Sequence, residues 1–141
     1  MKIISPKKYF LKRDIEIPIA KDVYIALIYE WNKEFLSKDW NAYIINNRKT
    51  PIEMALIVSK GYDGQVKTST MRHAIGVVGA KSFEKVELVQ EDVLRLNNEF
   101  FVTYYADHKL YERRFLFEKG TVNEHNLIPI PLIEKDGIFA K

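Results

Sequence analysis

Apolar residues recur in stretches of six to nine positions, rich in Ile, Val, Tyr and Phe and separated by polar turn signals. That pattern predicts strands rather than helices. In Asp14–Ile19, the residues Ile15, Ile17 and Ile19 alternate with Asp14, Glu16 and Pro18. A proline cannot donate to a ladder, so an edge strand is expected there. Val23–Trp31 is apolar on both faces, at Val23, Ile25 and Leu27 and again at Tyr24, Ala26 and Ile28. The polar stretch Lys33–Asp39 reads as a hairpin loop. Trp40–Ile45 then runs into Asn46-Asn47-Arg48-Lys49-Thr50-Pro51, where Asn tolerates left-handed backbone and Pro51 stops a central ladder.

Ile52–Ser59 is the next strand, closed by the two glycines and the aspartate of Lys60–Gly64. Val66–Val78 is long enough for one bent strand or two short ones, with Gly76 and Gly79 as bend points. Phe83–Val89 alternates, and Glu91–Asn98 is the one helical or turn-like patch, whose Val93, Leu94 and Leu96 would plug an end of the core. Phe100–Tyr105 and Leu110–Phe117 form a hairpin through Ala106–Lys109. Leu127–Ile133 is a last extended piece carrying Pro129 and Pro131.

The expected fold is an all-β, antiparallel β-sandwich of about seven to nine strands with at most one short helical turn. A closed barrel shares that alternation. The C-terminal prolines favour a final edge strand, which a barrel lacks.

The chain has 141 residues, which suits one domain. Its 47% hydrophobic and 29% charged residues are globular values, and with no cysteine it holds no disulfide framework or thiol nucleophile. The net charge of +3 is unevenly placed. Residues 1–13 carry Lys2, Lys7, Lys8, Lys12 and Arg13 and no acid, whereas the other residues carry 17 bases and 19 acids. The expected organisation is a basic arm over 1–13 and a single domain over 14–141. No stretch approaches a membrane span of about 20 apolar residues, and Met1–Leu11 lacks a signal-peptide core. A cytoplasmic location is expected.

Trp40–Asn47 followed by Lys49–Glu53 resembles the second strand and turn of immunoglobulin-like and fibronectin-like sandwiches. There a hydrophobic strand ends in Asn and a polar turn with Pro reverses the chain. Gly79–Phe83 is similar to the corner before a later strand in such domains. Over about residues 14–140 the chain also resembles a group of short bacterial proteins, through Val58–Tyr62, Lys67–His73 and Ile130–Ile138. Some of that group carry a phenylalanyl-tRNA synthetase label. The resemblance implies at most an accessory domain, since the chain is too short for an aminoacyl-adenylate domain.

The most function-like stretch is Lys67–His73, with three hydroxyls, a guanidinium and an imidazole. In a strand, Thr68, Thr70 and Arg72 share one face and Ser69, Met71 and His73 the other. With Lys60 and Tyr62 upstream, the set Lys60, Tyr62, Thr68, Thr70, Arg72 and His73 is the candidate interaction surface. A plain solvated strand face is the competing explanation. Lys7, Lys8, Lys12 and Arg13, together with Arg113 and Arg114, are candidate polyanion contacts. The aromatics Phe100, Phe101, Tyr104, Tyr105, Tyr111, Phe115 and Phe117 fall in one hairpin and are expected mainly in the core.

No serine sits in a Gly-x-Ser-x-Gly elbow, and His73, His108 and His125 have no metal-ligand spacing. No catalytic residue, metal or cofactor is expected. The leading expectation is a non-enzymatic module that binds another protein or itself through exposed edges. The alternatives are a nucleic-acid (tRNA)-associated accessory domain using the arm, and a small-ligand pocket around His73.

Overall fold

Alternation of apolar residues at the period of a strand places Val23, Ile25 and Leu27 on one face of the first strand, buried in the main core. The structure is a computed structural model that describes residues 21–141. The strands are β1 (Val23–Asn32), β2 (Ser37–Asn46), β3 (Ile52–Asp63), β4 (Val66–Lys67), β5 (Met71–Val78), β6 (Ser82–Val89), β7 (Asn97–Ala106), β8 (Lys109–Phe117), β9 (Ile128–Ile130) and β10 (Lys135–Phe139). They form two antiparallel five-stranded sheets. One has the order β6-β2-β1-β10-β9; in the other, β3 pairs with β4, β5 and β7, and β7 pairs with β8. The protein is an all-β sandwich. In the lettering of immunoglobulin-like sandwiches, β1, β2 and β6 stand where A, B and E stand, and β3, β7 and β8 where C, F and G stand.

The expected strand Asp14–Ile19 lies outside the described residues. Val66–Val78 is two strands, and the break falls at Thr68–Thr70 rather than at a glycine. Thr68 causes it, because its amide donates to Gly61 O at 2.9 Å and its hydroxyl accepts from Gly61 N at 2.8 Å. Gly76 is instead left-handed at φ 85°, opposite Ala55, where the β3–β5 register shifts. The single turn expected within Glu91–Asn98 is a 3₁₀ turn at Val93–Arg95, and Glu124–Asn126 adds a second.

Both faces of β1 are filled from within the chain. Ala26 and Ile28 belong to a second cluster with Ile45, Ile130 and Ile133 on the outer side of the sheet. That cluster depends on β10, which lies beyond the last extended piece expected from the sequence, Leu127–Ile133. Gly137 is required there: a Cβ would run into the Leu27 carbonyl oxygen and lie 2.8 Å from Ile28 Cδ1.

Pro129 lies in β9, the last strand of its sheet, as expected of an edge. At the side of the sandwich bearing β8, Leu116 and Lys141 exchange backbone hydrogen bonds of 3.2 and 2.9 Å, joining the chain end to that edge. No such backbone exchange links β5 to β6 on the opposite side. Among the described residues no helix is long and apolar enough to cross a membrane.

Candidate functional site

β5 and β6 are edge strands of opposite sheets, joined through the corner between Val78 and Ser82. Asn46 fixes that corner: its buried amide nitrogen donates to the carbonyls of Val78 at 3.1 Å and Gly79 at 3.0 Å. The chain ends farthest from the corner, Met71 of β5 and Val89 of β6, border a cavity of about 350 Å³. Phe100, Val93, Met71, Leu88 and Val89 give it apolar walls, and Ser59, Glu87, Gln90 and Asn98 give it polar groups. The Val93–Arg95 turn is held against it by Asn98, whose side-chain nitrogen donates to Val93 O at 3.0 Å and Leu96 O at 3.1 Å.

Glu87 is the chemically distinctive wall residue. Strand alternation turns it inward from β6, where it pairs in register with core residue Ala42. Its Oε1 accepts from Ser59 Oγ at 2.5 Å and lies 2.8 Å from His73 Nε2. Ser59 is on β3 and His73 on β5, so one carboxylate oxygen ties the two sheets together at their open side. The side chains of His73 and Glu87 are 18% and 15% exposed. Ser59 and His73 both converge on the carboxylate, so this is not a serine–imidazole pair in which the ring could activate the hydroxyl.

A second hollow of about 480 Å³ adjoins the first and shares Lys60, Gly61 and Thr68 with it. Its walls include four of the six predicted surface residues, Lys60, Tyr62, Thr68 and Thr70. The loop at Thr68–Thr70 brings them together, whereas the sequence suggested a continuous strand face. Beside them, Glu99 lies 3.8 Å from the Lys60 ammonium and accepts from Arg114 Nε, and Arg114 Nη2 donates to the Tyr62 hydroxyl at 3.1 Å. Glu99 holds the Arg114 guanidinium above its ordinary range. Arg72 pairs in register with Val58 and projects from the outer face of the sheet, outside both hollows. His73 points the other way, behind Glu87.

Arg113 and Arg114 do not form one basic patch. Adjacent strand residues face opposite sides: Arg114 joins Glu99 on the outer face, and Arg113 lies 4.5 Å over the Phe115 ring. Lys7, Lys8, Lys12 and Arg13 lie outside the described residues. In the aromatic hairpin, Phe100, Tyr104, Phe115 and Phe117 are core and Tyr111 stacks on Tyr104 at 5.2 Å, while Tyr105 is exposed. Burial pushes the Tyr104 phenol up to about 12.

Sequence reasoning missed two features. Glu87 looked like one of several charges in an alternating strand, because nothing local reveals which strand will lie across a gap. Phe35 and Leu36 sit in a loop read as polar, yet they are 72% and 73% exposed at the β1–β2 tip beside Trp31. Among the described residues, no three His, Cys, Asp or Glu side chains are placed to hold a metal ion. No protein-family model matches the chain, and no curated protein matches it either.

Proposed function

We propose that this domain is a non-enzymatic binding module that docks a segment of a partner protein at the open side of the sandwich. One observation carries the reading: an amphipathic cavity of about 350 Å³ opens between β6 and the end of β3, next to Met71 at the start of β5, where the edge strands of the two sheets part. An edge strand offers unpaired backbone groups to an extended peptide, and an adjoining pocket gives specificity to one of its side chains. The clustering of Lys60, Tyr62, Thr68 and Thr70 in the adjoining hollow supplies a polar rim. The Ser59–Glu87–His73 arrangement supports binding over serine–imidazole catalysis, since the His73 ring is directed at Glu87 and not at the serine hydroxyl. The setting proposed is the cytoplasm, supported by the cysteine-free composition.

A small-molecule pocket is the second reading, favoured by the cavity's size and its mixed walls. Selection of displayed random peptides on the full chain separates the two. The binding-module reading expects enrichment of a shared extended motif on the wild type, lost on Ser69→Phe, which blocks the mouth at an exposed position. No enrichment, or equal enrichment on both proteins, overturns it.

A further inference from the structure

Glu87 carries two carboxylate oxygens, and the described residues use only one. Oε1 takes both Ser59 Oγ and His73 Nε2. Oε2 receives no hydrogen bond from the described residues, and it is not among the sealed, unpartnered side-chain atoms, which are Asn41 Oδ1, Arg48 Nε and Tyr104 Oη. Glu87 lines the cavity, so its second oxygen is open to whatever enters. The surrounding walls are largely apolar, through Met71, Leu88, Val93 and Phe100.

A carboxylate oxygen in the wall of a largely apolar cavity is selective. A purely apolar occupant would strip water from Oε2 and give no donor in return, at a cost that outweighs much of its own burial. A cation on an aliphatic stem satisfies both parts, because long basic side chains cover apolar surface with their methylenes and carry the charge at the tip. Ammonium and guanidinium differ in what they need. Arginine prefers a two-oxygen fork, and at Glu87 the other oxygen is already occupied. A lysine ammonium is a compact point charge that needs only one. Ser59 and His73 both meet Glu87 at Oε1, so an ammonium arriving at Oε2 displaces neither of them. The nearby Lys60 does not fill that role, because its ammonium is directed to Glu99 and the Tyr62 ring on the outer face.

We infer that the partner segment inserts a lysine side chain into this cavity, its ammonium on Glu87 Oε2 and its stem against Met71, Val93 and Phe100. The inference rests on the docking reading above and names the side chain that docking selects.

The test uses three capped amino acids, Nα-acetyl-N-methylamides of lysine, norleucine and arginine, titrated into the isotope-labelled full chain and followed by amide chemical shifts. The lysine probe is expected to shift Ser59, Met71 and Val93 and to bind Glu87→Gln about tenfold to a hundredfold more weakly, the range of one charge-assisted hydrogen bond. Norleucine, which has the stem without the charge, and arginine are each expected to bind more weakly than lysine. Equal binding of norleucine or arginine, undiminished binding to Glu87→Gln, or no lysine shifts at the cavity overturns the inference. Glutamine keeps an acceptor for Ser59; should it still unfold the protein, Ser69→Phe serves instead, with loss of lysine binding expected and retention contradicting. Peptides that enrich and map to the cavity while the lysine probe fails would leave docking standing and remove only the lysine.

Discussion

His73 on β5 meets Glu87 on β6 at 2.8 Å, and with Ser59 it forms a clasp across the side of the sandwich where no backbone ladder joins the sheets. All three side chains are largely buried, so the carboxylate cannot be removed without orphaning two donors. Glu87→Ala is expected to cost about 1–3 kcal/mol, the penalty for leaving buried polar groups unsatisfied. His73→Ala should cost less, since Ser59 keeps its acceptor. Urea unfolding of both variants and of the double variant reads the coupling directly; additivity would mean that the clasp is not formed.

Asn46 is fully buried, donating to Thr50 O, Val78 O and Gly79 O and accepting from Arg48 N at 3.0 Å. It thereby locks the β2–β3 turn to the β5–β6 corner. Asn46→Ala should destabilise by about 3 kcal/mol, near the top of the range for an unsatisfied buried group. Thermal unfolding measures it, and a loss below about 1 kcal/mol would contradict the role given to this side chain.

Gly137 separates β10 from β1 by less than a methyl group allows. Gly137→Ala is expected to cost about 3 kcal/mol, at the upper end for overpacking, because the obstructing atom is backbone. Amide exchange should show Ile138 and its β1 partner Leu27 losing protection first. Uniform loss across both sheets would argue against a local clash.

The Ala106–Lys109 hairpin places Asp107 at φ 53° and His108 at φ 63°, the pair of left-handed residues of a two-residue type I′ turn. Asp107 also accepts from Arg48 Nη2 at 2.6 Å, so it has a reason to stay. His108→Gly relieves the strain and is expected to stabilise by about 0.5–1 kcal/mol after the entropy of glycine is deducted. A lower melting temperature for this variant would contradict the turn assignment.

Glu30 supplies an acid-side dependence. Burial alone would raise its carboxyl, but hydrogen bonds from Lys135, Tyr43 and Asn41 outweigh burial and hold it below the ordinary value of 4.5. A carboxyl lowered in the folded state contributes fully above 4.5, and that contribution is lost as pH falls through the lowered folded value. Stability of the wild type should therefore fall more steeply below that pH than stability of Glu30→Gln. Parallel urea midpoints against pH would contradict it.

The fold was legible where the chain's own periodicity decides burial. The two apolar faces of β1, the hairpin about Asp107-His108, and Pro129 at an edge all follow from local chemistry. The candidate site was legible only in part. Lys60, Tyr62, Thr68 and Thr70 are close along the chain, so their grouping survived even though the strand expected to join them breaks. Glu87 lies 28 residues from Ser59 and 14 from His73, and its role exists only once two sheets face each other. Gly137 gave no local signal for the same reason: its close approach to β1 depends on what packs beside it.

The central claim is that the opening between β5 and β6 is where a partner docks. An amide chemical-shift map of the full chain with a selected peptide tests it most directly. The account predicts shifts centred on Ser59, Gly61, Met71, Leu88 and Val93. Shifts centred on Trp31, Phe35 and Leu36 at the β1–β2 tip, with the cavity unchanged, would contradict it.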